Sequence, residues 1–196
     1  MKQFELSGSP RESVGRQDAS ALRNAGRIPG VMYGGTEQVH FSVSEIDMNK
    51  IMGMSDTLQI NLSLGNKTYS SILQEVQRHP VTDKIVHVDF LELVPGKAVK
   101  TSLPVRVTGN SEGVKAGGRL EVKAKTIKVR TLPKFLKEFI EVNIETLELN
   151  ANVRVQDIQA PDMEIMNSPR IPIASVVMTR QLKQEEATAA KETKKK

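Results

Sequence analysis

Cysteine and tryptophan are both absent from the 196-residue chain, and 5 phenylalanines and 2 tyrosines supply its aromatic content. Without thiols there is no disulfide, no thiolate nucleophile, no iron–sulfur cluster and no cysteine-ligated zinc. The three histidines, His40, His79 and His87, lack the i, i+4 spacing that puts two imidazoles on one metal, so neither a metal nor a cofactor is expected. A chain so poor in rings must bind through charge and hydrogen bonds rather than by stacking bases on an aromatic platform. Long apolar runs are missing as well. The longest, Ile171 to Met178, is interrupted by Pro172 and falls far short of the roughly 20 residues that span a bilayer. The first residues, Met1 to Gly8, carry no signal-peptide core. The expected compartment is the cytoplasm, with no membrane partner.

The signatures of catalysis are equally scarce. Gly34-Gly35 is not followed by the Gly-Lys-Ser/Thr of a phosphate loop, and no nucleophile-elbow sequence accompanies His87 and Asp89. Glu141, Glu145 and Glu148 read as surface, and Met48, Met52 and Met54 as core filler. No small-molecule substrate is expected, and the chain reads as a protein without enzymatic activity.

What is present is an uneven charge. The total is +5, with 28 basic and 23 acidic side chains. Residues 1–93 hold 9 basic against 11 acidic side chains, whereas 94–180 hold 14 against 9. Between Lys97 and Lys137 there are 11 basic residues and only 2 acidic ones. Such a density attracts a polyanion by steering and counterion release; the alternative is an ordinary solvated face. The asymmetry predicts two domains, 1–93 and 94–180, joined at Val94-Pro95-Gly96. The segment 181–196, polar and ending in three lysines, predicts a disordered basic tail.

Periodicity predicts a mainly β chain. Phe4 and Leu6 alternate in a first strand, and Asp18 is expected to cap a short helix that runs to Asn24 and stops at Gly26. An extended segment over 28–35 and a strand through Val39, Phe41 and Val43 follow. Ser44 with Asp47 resembles a capping box for a helix over Ile46, Met48, Ile51 and Met52. Leu58, Ile60, Leu62 and Leu64 keep strict period-two alternation into Gly65-Asn66, after which Lys67 to Gln77 returns as a hairpin. Val86, Val88 and Phe90 point one way and His87 and Asp89 the other. These elements predict a small β-barrel with two short helices. The second domain reads as β-rich, with strands at Leu103–Val107, Leu120–Ala124, Ile127–Val129 and Ile140–Ile144.

Arg11, Arg16, Arg23, Arg27, Tyr33, Gln74, Gln77, Arg78, His87 and Asp89 then fall on loops and on strand faces opposite the apolar set. As one surface they suit RNA: arginines hold phosphates, while Gln, His and Asp address base edges and 2′-hydroxyls in the shallow minor groove. The alternative is a scatter of solvated side chains.

Three stretches bear on that choice: Leu22-Arg23-Asn24-Ala25-Gly26-Arg27-Ile28-Pro29-Gly30-Val31-Met32-Tyr33-Gly34-Gly35, Leu73-Gln74-Glu75-Val76-Gln77-Arg78-His79-Pro80, and Ile85-Val86-His87-Val88-Asp89-Phe90. Together they resemble the bacterial ribosomal protein L-twenty-five family. Gly113 to Leu120 and Thr131-Leu132-Pro133 resemble that family's two-domain form, the general stress protein Ctc type. The resemblance covers residues 2 to 178. It implies an N-terminal β-barrel that binds 5S ribosomal RNA in the central protuberance of the large subunit, followed by a β-rich domain that is open to neighbouring ribosomal proteins. Position by position it implies RNA contacts at Arg11, Arg16, Ser20, Arg23, Tyr33, Gln74, Gln77, Arg78, His87 and Asp89, with Gly34 shaping the turn after Tyr33. Family members commonly carry arginine at one or both positions held here by Ser20 and Ala21, so the first helix is short of phosphate contacts. Lys123, Lys125 and Lys128 are expected to compensate by reaching adjacent RNA. The alternative is a stress-induced RNA-binding factor that visits ribosomes transiently.

Overall fold

A strand that alternates apolar and polar residues buries one face, and six such strands close on one another at the start of this chain. In the computed structural model, which describes residues 1–65, 67–158 and 160–180, they are β1 (Gln3–Pro10), β2 (Arg27–Tyr33), β3 (Val39–Ser44), β4 (Gln59–Leu64), β5 (Lys67–Arg78) and β6 (Ile85–Glu92). They form a closed barrel in the order β1-β3-β2-β6-β5-β4. The first and last strands in that order, β1 and β4, pair in parallel over Gln3–Gly8 and close it. β2 and β6 also run parallel, and the remaining neighbours are antiparallel.

The inward set is the one that period two predicts: Leu6, Ile60, Leu62, Val88 and Phe90 are buried, as is Phe41. Phe41 meets Phe90 edge-on at 5.4 Å, with the rings at 63°, a pairing that contributes about 0.5–1.5 kcal/mol beyond its buried area. Gly30 lies against this pair. A Cβ there would stand 2.8 Å from Phe41 Cζ and 2.8 Å from Val88 Cγ2.

Two helices join the barrel strands. α1 (Arg16–Asn24) starts before the predicted cap: Gly15 is its N-cap, with no side-chain bond. Asp18 lies in the first turn and is bound by Arg11, whose Nη2 and Nε donate to Oδ2 at 2.6 and 3.2 Å. The charged pair outcompetes a backbone cap for that carboxylate. Gly26 does close the helix, in the left-handed conformation at φ 71°. α2 (Glu45–Met52) begins after Ser44 as expected, but the capping box does not form. Asp47 takes Lys50 Nζ instead, at 2.8 Å. Met48 and Ile51 pack inward while Ile46 faces solvent.

The remaining strands are β7 (Val99–Thr108), β8 (Arg119–Val122), β9 (Thr126–Thr131), β10 (Ile140–Asn143), β11 (Asn152–Arg154), β12 (Glu164–Ile165) and β13 (Pro172–Val177). They form one sheet ordered β10-β7-β9-β12 and another ordered β11-β13-β8. A single helical turn, α3 (Glu112–Lys115), is capped by the Ser111 hydroxyl, which accepts from the Val114 N–H at 3.4 Å. Periodicity missed α3, β11, β12 and β13. The run from Ile173 to Val176 on β13, the central strand of its sheet, is buried at four successive positions and so covered on both faces, and such a strand does not alternate.

Contacts divide the chain into two units: Met1–Leu103 with Arg130–Glu138, and Pro104–Val129 with the chain from Phe139 onward. Residues 94–103 and Arg130–Glu138 thus count with the barrel, where Glu138 accepts from the Lys2 backbone N–H and its carbonyl accepts from Thr57 N–H at 3.0 Å. The predicted tail, 181–196, lies outside the described residues.

The close approach at Gly30 makes a direct prediction. Gly30→Ala forces Phe41 or Val88 off its packing and lowers stability by about 1–3 kcal/mol, while Phe41→Ala costs about 3–5 kcal/mol. Urea midpoints at constant slope measure both, and an unchanged midpoint for Gly30→Ala would contradict the packing.

Candidate nucleic-acid interface

Three adjacent barrel strands, β2, β6 and β5, carry most of the residues singled out from the sequence. On β2 and β6 the outward positions follow from regular alternation, whereas on β5 they depend on an irregularity. The β5–β6 register runs Leu73 opposite Phe90, then Glu75 opposite Asp89, Val76 opposite Val88 and Gln77 opposite His87. Gln74 is therefore an extra residue, a β-bulge. Unbroken alternation after an inward Leu73 would bury Gln77 and expose Val76. The bulge reverses this: Val76 packs on the core, while Gln74, Glu75 and Gln77 are exposed.

On β6, His87 Nδ1 and Asp89 Oδ1 are 2.8 Å apart, and both side chains are half-buried. That contact orients the imidazole and leaves its other nitrogen free of it. Arg78 ends β5 with an exposed side chain. The connection to β6 is organised by His79, whose Nδ1 accepts from Val81 N–H and Thr82 N–H, both at 3.3 Å.

Tyr33 ends β2 on the same outer side as Val31, which is in register with Asp89. Burial pushes the Tyr33 phenol above its ordinary 10.0, and the charges of Asp89 and Glu75 push it the same way. The group is thus a neutral hydroxyl donor set beside two carboxylates. Gly34 follows in the left-handed region at φ 106°, where a Cβ would also strike Leu91. Its carbonyl accepts from Lys97 Nζ at 2.6 Å. The turn that holds Tyr33 is thus pinned by a residue far along the chain.

The arginines divide. Arg16, Ser20 and Arg23 are exposed at i, i+4 and i+7 of α1, a single helical face. Arg23 Nε donates to the Val86 carbonyl at 3.1 Å, which sets that face next to the start of β6. Arg11 is different: its side chain is 9% exposed and its guanidinium is taken up by Asp18 and the Ser13 carbonyl. Arg27, expected on the surface, instead clamps three strands by donating to Ser9 Oγ, Ser42 Oγ and the Ser42 carbonyl. A guanidinium that reaches neighbouring serines at 2.9–3.2 Å satisfies its donors within the barrel. Glu75, which strict alternation from Leu73 would turn inward and which the sequence motifs do not single out, also stands exposed on this face.

Lys123, Lys125 and Lys128 belong to the second unit and are all exposed. The backbone N–H groups of Lys123 and Ala124 both bond the Ile173 carbonyl, at 2.8 and 3.2 Å. Among the described residues no group of His, Asp and Glu is arranged to hold a metal, and no helix is long and apolar enough to cross a membrane.

Comparison with known proteins places both parts of the chain in one family. Residues 6–90 match the model of the Ribosomal L25p family, and residues 98–180 match that of the ribosomal protein TL5 C-terminal domain. The large ribosomal subunit protein bL25 of Cytophaga hutchinsonii is 40% identical over 191 residues, 97% of this chain and 100% of that protein. Its counterpart in Amoebophilus asiaticus is 36% identical over the whole of both chains. The one in Bacteroides fragilis is 32% identical over 97% of this chain and 100% of its own length.

The environment of Tyr33 predicts that its phenol ionises above the ordinary 10.0, read as the part of the phenolate absorbance that Tyr33→Phe removes. A folded-state pKa above the unfolded value means that the stabilisation from the protonated phenol is fully present below pH 10.0 and is lost as pH rises through the raised value. A Tyr33 contribution that ionises at the ordinary value would contradict the packing of Tyr33 beside Asp89 and Glu75.

Proposed function

The chain belongs to the ribosomal L25p family, and from that premise we propose that it is a structural constituent of the bacterial large ribosomal subunit that binds 5S ribosomal RNA through the face formed by α1, β2, β5 and β6. A ribosomal protein works in the cytoplasm. The observation that carries the reading is the outward row on three adjacent strands, where Gln77 stands opposite His87, and Asp89 stands between Glu75 and Val31. Donors and acceptors on a gently curved sheet fit the wide, shallow minor groove of an RNA helix, whose 2′-hydroxyls and base edges are accessible there.

Within this face the roles differ by chemistry. Arg16, Arg78 and the outer nitrogens of Arg23 hold phosphates, and Ser20 adds a hydroxyl. Gln74, Gln77, His87 and Asp89 address base edges and ribose, and Tyr33 donates its neutral hydroxyl. Arg11 serves by fixing the start of α1 through Asp18 rather than by touching RNA. No step of this function is catalytic, and none requires a metal, a cofactor or a small-molecule substrate. The second domain, taken from the sequence as 94–180, extends the contact: Lys123, Lys125 and Lys128 meet adjacent RNA, and other faces meet neighbouring ribosomal proteins.

A salt titration of full-length protein binding to 5S ribosomal RNA, with transfer RNA as competitor, tests the reading. The wild type binds tightly and resists the competitor. Arg78→Ala lowers the slope of log affinity against log salt by about 0.7 to 0.9, the loss of one phosphate contact. Gln77→Ala leaves the slope unchanged and weakens binding by about 1–3 kcal/mol, if base-edge contacts on RNA match those on DNA. Binding that the competitor abolishes would overturn the assignment of 5S ribosomal RNA.

A further inference from the structure

Glu75 is an anomaly on a face that binds a polyanion. The bulge at Gln74 turns it outward and leaves it exposed. Its register partner is Asp89, and like charges directly opposite each other on paired strands are destabilising. Among the described residues no hydrogen bond or ion pair neutralises Glu75, whereas Asp89 meets His87. Both carboxylates act on the Tyr33 phenol, so they flank one small region of the sheet. A phosphate there would be repelled. What two acceptor-only groups fit is a donor, and the one base-edge donor in a minor groove is the exocyclic amino group of guanine.

We propose that Glu75 is a specificity-determining residue of this face, accepting together with Asp89 from guanine amino groups in the RNA minor groove. The inference rests on the RNA-binding reading above and adds to it the base that is read. Glu75 works twice in this arrangement. It rewards an RNA that presents guanine at the right step, and it penalises any RNA that would set its phosphates there. The repulsion between Glu75 and Asp89 persists in the free protein and is relieved only when donors arrive, which favours cognate over generic RNA.

Interference mapping with full-length protein tests this. 5S ribosomal RNA is transcribed with sparse, cleavable inosine in place of guanine, which deletes only the amino group, and the bound fraction is mapped. The wild type is expected to exclude inosine about tenfold at one or a few guanines of the protected helix. Glu75→Ala abolishes that exclusion while interference elsewhere and the circular dichroism spectrum stay unchanged. Glu75→Gln, which keeps a carbonyl acceptor without the charge, retains part of the exclusion and binds transfer RNA more tightly than the wild type does. The same inosine pattern in the wild type and Glu75→Ala would overturn the proposal and leave the RNA-binding reading intact. Loss in Glu75→Ala of interference by 2′-deoxy substitution instead would reassign Glu75 to ribose and overturn the guanine assignment. Failure of the wild type to select 5S ribosomal RNA over transfer RNA would overturn the parent reading and this one with it.

Discussion

Closure of the barrel is the constraint on which the rest of the first unit depends. Once β1 pairs with β4, the six strands share one sealed interior that holds Leu6, Ile60, Leu62, Val88 and Phe90, and outer positions of β2, β5 and β6 can carry polar side chains. The tolerance of the interior is small. Gly30 is a glycine because Phe41 and Val88 occupy the space of its Cβ, and native interiors leave few voids to absorb a misfit. A rigid wall is what a shape-reading surface requires, since side chains on strands are held more closely than those on loops.

Charge on this unit is allocated rather than accumulated. Arg11 and Arg27 are spent on Asp18 and on the serines of β1 and β3, and Arg23 divides its guanidinium between the Val86 carbonyl and solvent. Counting basic residues therefore overstates the phosphate-binding capacity of the first 93 positions. The acidic excess of that stretch is equally misleading, because Asp18, Asp47 and Asp56 are engaged by Arg11, Lys50 and Lys2. On the face of α1, β2, β5 and β6 the charges are placed by sign: exposed Arg16 and Arg78 lie at the margins, and Glu75 and Asp89 lie in the middle. Cations at the rim with acceptors at the centre match a groove, whose phosphates lie along its edges and whose base donors lie along its floor.

The loops around the face are pinned by residues distant in sequence. Lys97 reaches the Gly34 carbonyl from beyond the barrel strands, and His79 gathers the N–H groups of its own turn. Each contact lowers the number of conformations open to the side chains of this face, which is the preorganisation that lowers the entropy lost in any association.

Period-two alternation alone determined that the chain is mainly β, that Leu58 to Leu64 form one arm of a hairpin, and that His87 and Asp89 point away from Val88 and Phe90, because side-chain direction in a strand follows from the backbone. The motifs around Arg23, Gln77 and His87 likewise identified the family. Three things needed tertiary structure. The bulge at Gln74 is set by β5 pairing with β6, so although Gln77 is expected outward, the register that puts it opposite His87 and turns Glu75 out beside it could not be read from local pattern. The partners of Arg11, Arg27 and Asp18 depend on which strands meet, so a cap expected at Asp18 became an ion pair. The strand from Pro172 to Val177, covered on both faces, has no alternation to read, and only its neighbours β11 and β8 reveal it as the centre of a sheet. Sequence specifies which way a residue faces on its own strand; pairing between strands decides what stands opposite it.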